Sequence, residues 1–270
     1  MGEREERKVE GIADYEFVRP LGRGNHGDYY LARKPRRLPV DTEYVMVKVV
    51  GGTGQDAFRR ATRELKAFAA VRSRFLVTLY DAGQQGGVFY YSMEYVPGGS
   101  LAAPAEPPSQ GATLRAVAGA ARAAQALHDE GIVHRDICPW NVLLTPEGGK
   151  LCDLGLAQAL MPGATITGIS GANSIEFSDP ELLKGGRSAP GHDVWSLGAT
   201  LHRALSGHGL YGELPVHDPL LTLRKVYGTA PSIRPELGPE AAELVAECIG
   251  EPSGRPTAAA LAERLSALAA

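Results

Sequence analysis

Cysteine is scarce in this chain: Cys138, Cys152 and Cys248 are the three among 270 residues. An odd, unevenly spaced set gives no disulfide framework and points to a reducing compartment. Metal-ligand spacing is missing as well, because the seven histidines are scattered, which argues against a zinc site. No apolar run approaches the ~18–20 residues that a membrane span requires. Neither sign of charge dominates: 28 basic and 31 acidic residues leave a net −3, which argues against nucleic acid or a membrane surface as partner. Internal repeats are absent. The opening residues, MGEREERKVE, lack the apolar core of a signal peptide and the Ser or Thr that N-myristoylation needs. The expected location is cytoplasmic, with the chain standing alone or forming the cytosolic portion of a longer membrane-anchored protein.

What is present is enough apolar material, 44%, to fill a substantial core in one large domain or two lobes. Residues 1–13 read as a charged leader. Residues 14–96 read mostly as strand, in YEFVRPLGRG, DYYLARK, EYVMVKVV, LVTLYDAG and VFYYSMEYV. One helix interrupts them, DAFRRATRELKAFAAVRS, with Phe58, Ala61, Leu65 and Phe68 at helical spacing and Asp56 as a cap. After the proline-rich PAEPPSQGA, residues 97–270 are Ala- and Leu-rich, with helical periods at about 111–130, 191–206, 238–249 and 257–268. The fold class is α+β: a small antiparallel β lobe with one helix, then a larger helical lobe.

Several motifs fit phosphate chemistry. LGRGNHGDYY places Gly22, Gly24 and Gly27 in the spacing G-x-G-x-x-G, where bare backbone approaches a polyphosphate closely. A glycine-rich hairpin with no ligand satisfies the same pattern. The strand-like residues that follow favour a β-hairpin lid over a dinucleotide-binding strand–turn–helix. Lys48 lies inside the apolar strand VMVKVV, facing either solvent or inward; if inward, a carboxylate must hold it, and Glu64 on the helix is a candidate. GIVHRDICPWNVLL carries Asp136 and Asn141, and CDLGLA carries Asp153 at a strand end with Gly155 behind it. Oxygen ligands of this kind suit magnesium, and a free carboxylate suits proton acceptance.

Taken in order, these elements resemble the eukaryotic-type (Hanks-type) protein kinase family, in its bacterial Ser/Thr branch. The resemblance runs from about Tyr15 to Leu268. It extends through FSDPELL, similar to the family's A-P-E segment with Asp179 for Ala, and DVWSLGATL, similar to its D-x-W-S-x-G helix. It implies a bilobal fold and a Mg-ATP-dependent transfer of the γ-phosphoryl group to a Ser or Thr hydroxyl of a protein substrate. Residues 22–27 would cover the phosphates, and Lys48, held by Glu64, would contact them. Asp136 would orient the acceptor hydroxyl, while Asn141 and Asp153 would bind Mg2+. Met93 would be the gatekeeper, Glu94 and Val96 would meet the adenine edge through their backbone, and Leu143 would complete the nucleotide site with Tyr29 and Met46. Phe68, Leu79, His134 and Leu154 fall in the regulatory apolar column anchored at Asp193, and Arg255 is expected to pair with Glu181. Arg135 is expected to receive an activation-segment phosphate, with Thr165, Thr167 and Ser170 as acceptors, and Ser174 occupies the substrate-facing position. A homodimer is one assembly that such a chain is expected to form.

Three positions depart from the family pattern. Tyr29 replaces a valine and Met46 an alanine over the adenine slot, and Cys138 replaces the lysine of H-R-D-x-K-P-x-N. Two larger roof residues narrow the slot at a cost of ~1–3 kcal/mol unless the lobe shifts. Loss of the lysine removes charge where transfer occurs. Pro139 keeps the Ser/Thr-type pattern. These departures hold open a second reading, a nucleotide-sensing or scaffolding pseudokinase. Cys138 and Cys152 also raise the question of a redox- or electrophile-sensitive thiol beside the nucleotide.

Overall fold

A computed structural model describes residues 11–24, 27–52, 62, 65–66, 68–153 and 172–270. Its first part is a six-stranded antiparallel sheet built from β1 (Gly11–Ile12), β2 (Tyr15–Gly24), β3 (Gly27–Arg33), β4 (Tyr44–Gly52), β5 (Leu79–Gln85) and β6 (Val88–Glu94), in the order β1-β2-β3-β4-β6-β5. The hairpin of β2 and β3 closes at Gly24 and Gly27. Gly27 has φ 148°, and a Cβ there would stand 2.2 Å from the Val49 carbonyl oxygen, so β3 can lie this close to β4 only with glycine. β5 turns into β6 at Gly86 and Gly87, both with positive φ, as a tight two-residue hairpin turn demands.

Alternation gives the sheet two different faces. Val45 and Val47 on β4 join Tyr15, Ala32, Leu38 and Tyr90 in a small core on one side. Met46 and Val50, with Phe89, Tyr91 and Met93 of β6, belong to the main core on the other, where Leu65 and Phe68 also lie. Lys48 is on this second face and is only 6% exposed. The strand therefore points its lysine inward, and the solvent-facing alternative is excluded.

The second part is helical. Ser109 caps α1 (Gln110–Asp129) by accepting a hydrogen bond from the Ala112 N–H at 3.2 Å. Its buried face is mostly alanine. Small side chains let neighbours approach the helix backbone: a Cβ on Gly149 would come within 2.1 Å of the Ala116 carbonyl oxygen. The hairpin β7 (Val142–Thr145) and β8 (Gly148–Leu151) thus sits against α1, and the segment 134–141 leads directly into β7. Next come α2 (Ala172–Ile175), α3 (Pro180–Leu183), α4 (Pro190–Ser206), α5 (Pro219–Gly228), α6 (Pro239–Ile249) and α7 (Ala258–Leu268), with Thr257 capping α7. The four helical periods read from the sequence match α1, α4, α6 and α7. The short strand β7 and the helix α5 were not anticipated, whereas β8 answers to the strand expected before Asp153. β8 ends at Leu151, so Asp153 follows the strand rather than closing it. The architecture is the expected bilobal α+β fold.

Candidate active site

A cleft of about 490 Å³ opens between the sheet and the helical part, lined among others by Gly22, Tyr29, Met46, Lys48, Val96, Asp136, Trp140, Asn141, Leu143 and Asp153. Most of the nucleotide-binding residues expected from the sequence therefore meet in one place. Gly24 and Gly27 close the β2–β3 hairpin. Met93 is fully buried beside its cross-strand partner Met46. Glu94 donates its N–H to the Thr78 carbonyl at 2.8 Å, and its carboxylate receives Lys150 Nζ at 2.6 and 2.7 Å. Glu64, Leu154, Gly155, Thr165, Thr167 and Ser170 lie outside the described residues, as do Asp56, Phe58, Ala61 and the first ten residues.

Asp193, at the start of α4, organises the loop that carries Asp136. Its carboxylate accepts the main-chain N–H groups of His134 (2.8 Å) and Arg135 (2.9 Å) and faces His128 Nε2 at 2.7 Å. Arg135 holds φ 71° there, a left-handed conformation whose cost of ~1–2 kcal/mol the two bonds to Asp193 offset. The Arg135 guanidinium also donates from Nε to Ser188 Oγ at 3.3 Å. His134 is fully buried, shares a 3.0 Å hydrogen bond with the Cys152 carbonyl, and is held below its ordinary pKa by burial. Phe68 and Leu79 belong to the main apolar core.

The amide nitrogen of Asn141 donates to the main-chain oxygen of Asp136 at 2.7 Å and to its carboxylate at 3.1 Å. Ser174 also donates to that carboxylate. Burial pushes the Asp136 carboxyl up to about 6; the positive charge of Lys48 and these hydrogen bonds pull in the opposite direction, and Asp153 adds to the rise. A carboxylate that ionises near 6 is a better proton acceptor at neutral pH than an ordinary aspartate and is still charged. With its nitrogen used on Asp136, Asn141 keeps its amide oxygen available.

Asp153 is buried and holds φ 57°. Its two oxygens are divided between neighbours. Tyr29 donates its hydroxyl to Oδ2, Tyr91 donates to Oδ1 at 2.5 Å, and Lys48 Nζ lies 3.2 Å from Oδ1. Burial pushes this carboxyl up, but Lys48 and the two phenols more than compensate and hold it below the usual range. Burial and the Asp153 charge push both phenols far up, so they stay protonated donors. Lys48 also stands 4.8 Å from the ring centre of Tyr29 and 5.8 Å from that of Tyr91, a cation–π arrangement on both sides.

The family model for the protein kinase domain matches residues 15–265. The chain belongs to the protein kinase domain family.

This kinase domain is 32% identical over 221 residues to the serine/threonine-protein kinase AfsK of Streptomyces griseus, covering 79% of the chain and 27% of the relative. It is 32% identical over 202 residues to the probable serine/threonine-protein kinase PkwA of Thermomonospora curvata, covering 73% and 26%. Against the serine/threonine-protein kinase PknL of Mycobacterium tuberculosis it is 35% identical over 153 residues, covering 54% and 37%. It spans about a quarter of the length of the first two relatives. Among its described residues no helix is long and apolar enough to cross a membrane.

In the kinase domain the structure corrects the expected partner of Arg255 and answers the question raised by the two thiols. Arg255 pairs with Asp179 at 2.5 Å, both side chains almost wholly buried, whereas Glu181 is exposed and pairs with Lys184. Cys138 and Cys152 are buried, and burial together with nearby carboxylates pushes both thiols well up, the opposite of a reactive thiolate. Sequence reasoning also passed over Tyr91. The signal was there, since it lies two residues before Met93 in an alternating strand and so shares the face of Lys48.

Proposed function

We infer that this domain is a Mg-ATP-dependent protein Ser/Thr kinase acting in the cytoplasm. The observation that carries the reading is the convergence of Lys48, Asp136, Asn141 and Asp153 on one cleft beneath the glycine hairpin. Relatives named as serine/threonine kinases support it, as does Pro139 after Cys138.

In this reading the cleft takes ATP, with Val96 and Leu143 against the base and Tyr29 and Met46 above it. Asp153 and Asn141 supply a carboxylate and an amide oxygen, hard donors that fit magnesium. Held by these two residues, a magnesium ion would supply positive charge against the charge that develops on the phosphate. Asp136 accepts the proton of the acceptor hydroxyl. The oxygen of that hydroxyl then bonds to the γ-phosphorus while the bond between phosphorus and the ADP oxygen breaks. Ser174 and Asn141 hold the Asp136 carboxylate in position. Cys138 contributes no charge, so Lys48 and Arg19 are the cations among the described residues that line the cleft. A slower transfer than in family members with lysine at that position follows. Activation through phosphorylation at Thr165, Thr167 or Ser170 belongs to the same proposal, with Arg135 as receptor.

The test is incubation with γ-labelled ATP, Mg2+ and a Ser/Thr-rich acceptor protein, followed by phosphoamino-acid analysis. Phosphoserine or phosphothreonine is the expected product. Nucleotide binding with no transfer to any acceptor or to the chain itself would overturn the reading.

A further inference from the structure

Tyr29, Lys48 and Tyr91 form a row across three adjacent strands. Tyr29 on β3 is the register partner of Lys48 on β4, and Lys48 is the register partner of Tyr91 on β6. All three side chains reach the same carboxylate, that of Asp153, which also receives the Cys152 thiol on Oδ2 at 3.8 Å. A carboxylate has about four lone-pair directions. With two phenols, an ammonium and a thiol around it, Asp153 has little capacity left for a cation.

The two phenols are not equivalent. Tyr91 is 2% exposed, lies on a strand paired on both sides, and packs its ring against Phe89 at 6.0 Å. Tyr29 is half-buried, lines the open cleft, and stands two residues from the glycine that closes the hairpin. Tyr29 also covers Lys48, whose ammonium sits 4.8 Å from its ring centre. One rotation of Tyr29 would expose both an oxygen of Asp153 and the face of Lys48.

We propose that the Tyr29 hydroxyl is a removable stand-in for the metal on Asp153, exchanged for Mg2+ when nucleotide binds, while Tyr91 stays and positions the carboxylate. This rests on the reading of Asp153 as a magnesium ligand. It makes the metal and the phosphates mutually dependent: displacing Tyr29 from Asp153 uncovers Lys48 for phosphate, and phosphate on Lys48 favours the displaced tyrosine. By linkage the coupling is reciprocal.

Calorimetric titration of the full chain with Mg·ADP, and with ADP in EDTA, tests this without reference to catalysis. Breaking a hydrogen bond to a charged group corresponds to about a ten- to hundredfold change in affinity. Tyr29→Phe keeps the ring and loses the hydroxyl, and is expected to bind Mg·ADP about tenfold or more tighter than wild type, with a larger difference between Mg·ADP and metal-free ADP. Tyr29→Val, which also clears the ring, is expected to change binding in the same direction. Tyr91→Phe is expected to weaken Mg·ADP binding. Equal or weaker Mg·ADP binding by both Tyr29 variants overturns the stand-in, and tightening by Tyr91→Phe overturns the division of roles. These outcomes are separate from the proposed function. A wild type that transfers no phosphate overturns that reading whatever the titrations give, and a transferring enzyme with unchanged Tyr29 variants overturns only the stand-in.

Discussion

Arg255 makes its buried ion pair with Asp179. Asp179 Oδ2 accepts from the guanidinium, and Oδ1 caps α3 by accepting the Glu181 N–H at 2.9 Å. The guanidinium also donates to the carbonyls of Gly250 and Gly191, each at 2.9 Å. One side chain at the start of α3 therefore ties this segment to the base of α4 and to the stretch before α7.

Removing one member of a buried pair leaves the other charge uncompensated. Asp179→Ala is expected to cost about 3–5 kcal/mol in urea unfolding. Glu181→Ala, at a surface pair with both side chains 57% exposed, is expected to change stability by less than about 1 kcal/mol. The opposite ranking would return the ion pair to Glu181.

Asp136 is expected to reduce stability at neutral pH. Its carboxyl ionises at about 6 in the folded chain and near ~3.9 in the unfolded one. The folded state thus holds the extra proton between those values, and the ionised group penalises folding as pH rises through this window. Asp136→Asn mimics the protonated form. In metal-free buffer it is expected to be about 1–2 kcal/mol more stable than wild type at pH 7–8, the full difference of pKa being reduced by the partial exposure of the side chain. The gain is expected to vanish near pH 4. A gain that persists unchanged at pH 4 would show that Asp136 is not perturbed.

The three thiols are expected to be silent in the folded protein. Cys138, Cys152 and Cys248 are all buried, and burial pushes Cys248 up to about 12. Iodoacetamide is expected to label none of them natively and all three in urea, as read by mass spectrometry. Rapid native labelling of Cys152 that nucleotide blocks would contradict the geometry.

Much of this architecture was legible in the chain. Period-2 alternation in VMVKVV and VFYYSMEYV located the strands, and 3.6-residue periods located α1, α4, α6 and α7, because in both cases one face must be buried. The Asp136–Asn141 spacing marked the loop that Asp193 now holds. The readings that failed depend on reach between distant segments. Asp179 and Glu181 are both carboxylates near the start of one short helix, and only the capping geometry turns the first inward. Tyr29 reads as a bulky replacement over the adenine slot, and it does line the cleft. Its hydroxyl, however, finds Asp153, 124 residues away, through a strand register that spacing along the chain does not reveal. The strand β7, four residues long, is too short for its periodicity to register.

The central claim, that this cleft transfers phosphate to a protein hydroxyl with Asp136 as the proton acceptor, is tested most directly by γ-labelled ATP and Mg2+ with wild type and Asp136→Asn side by side. The account predicts label on serine or threonine with wild type, and transfer lowered about 10²–10⁴-fold in Asp136→Asn with Mg·ADP binding retained. Equal transfer by both proteins, or none by a wild type that binds Mg·ADP, would contradict it.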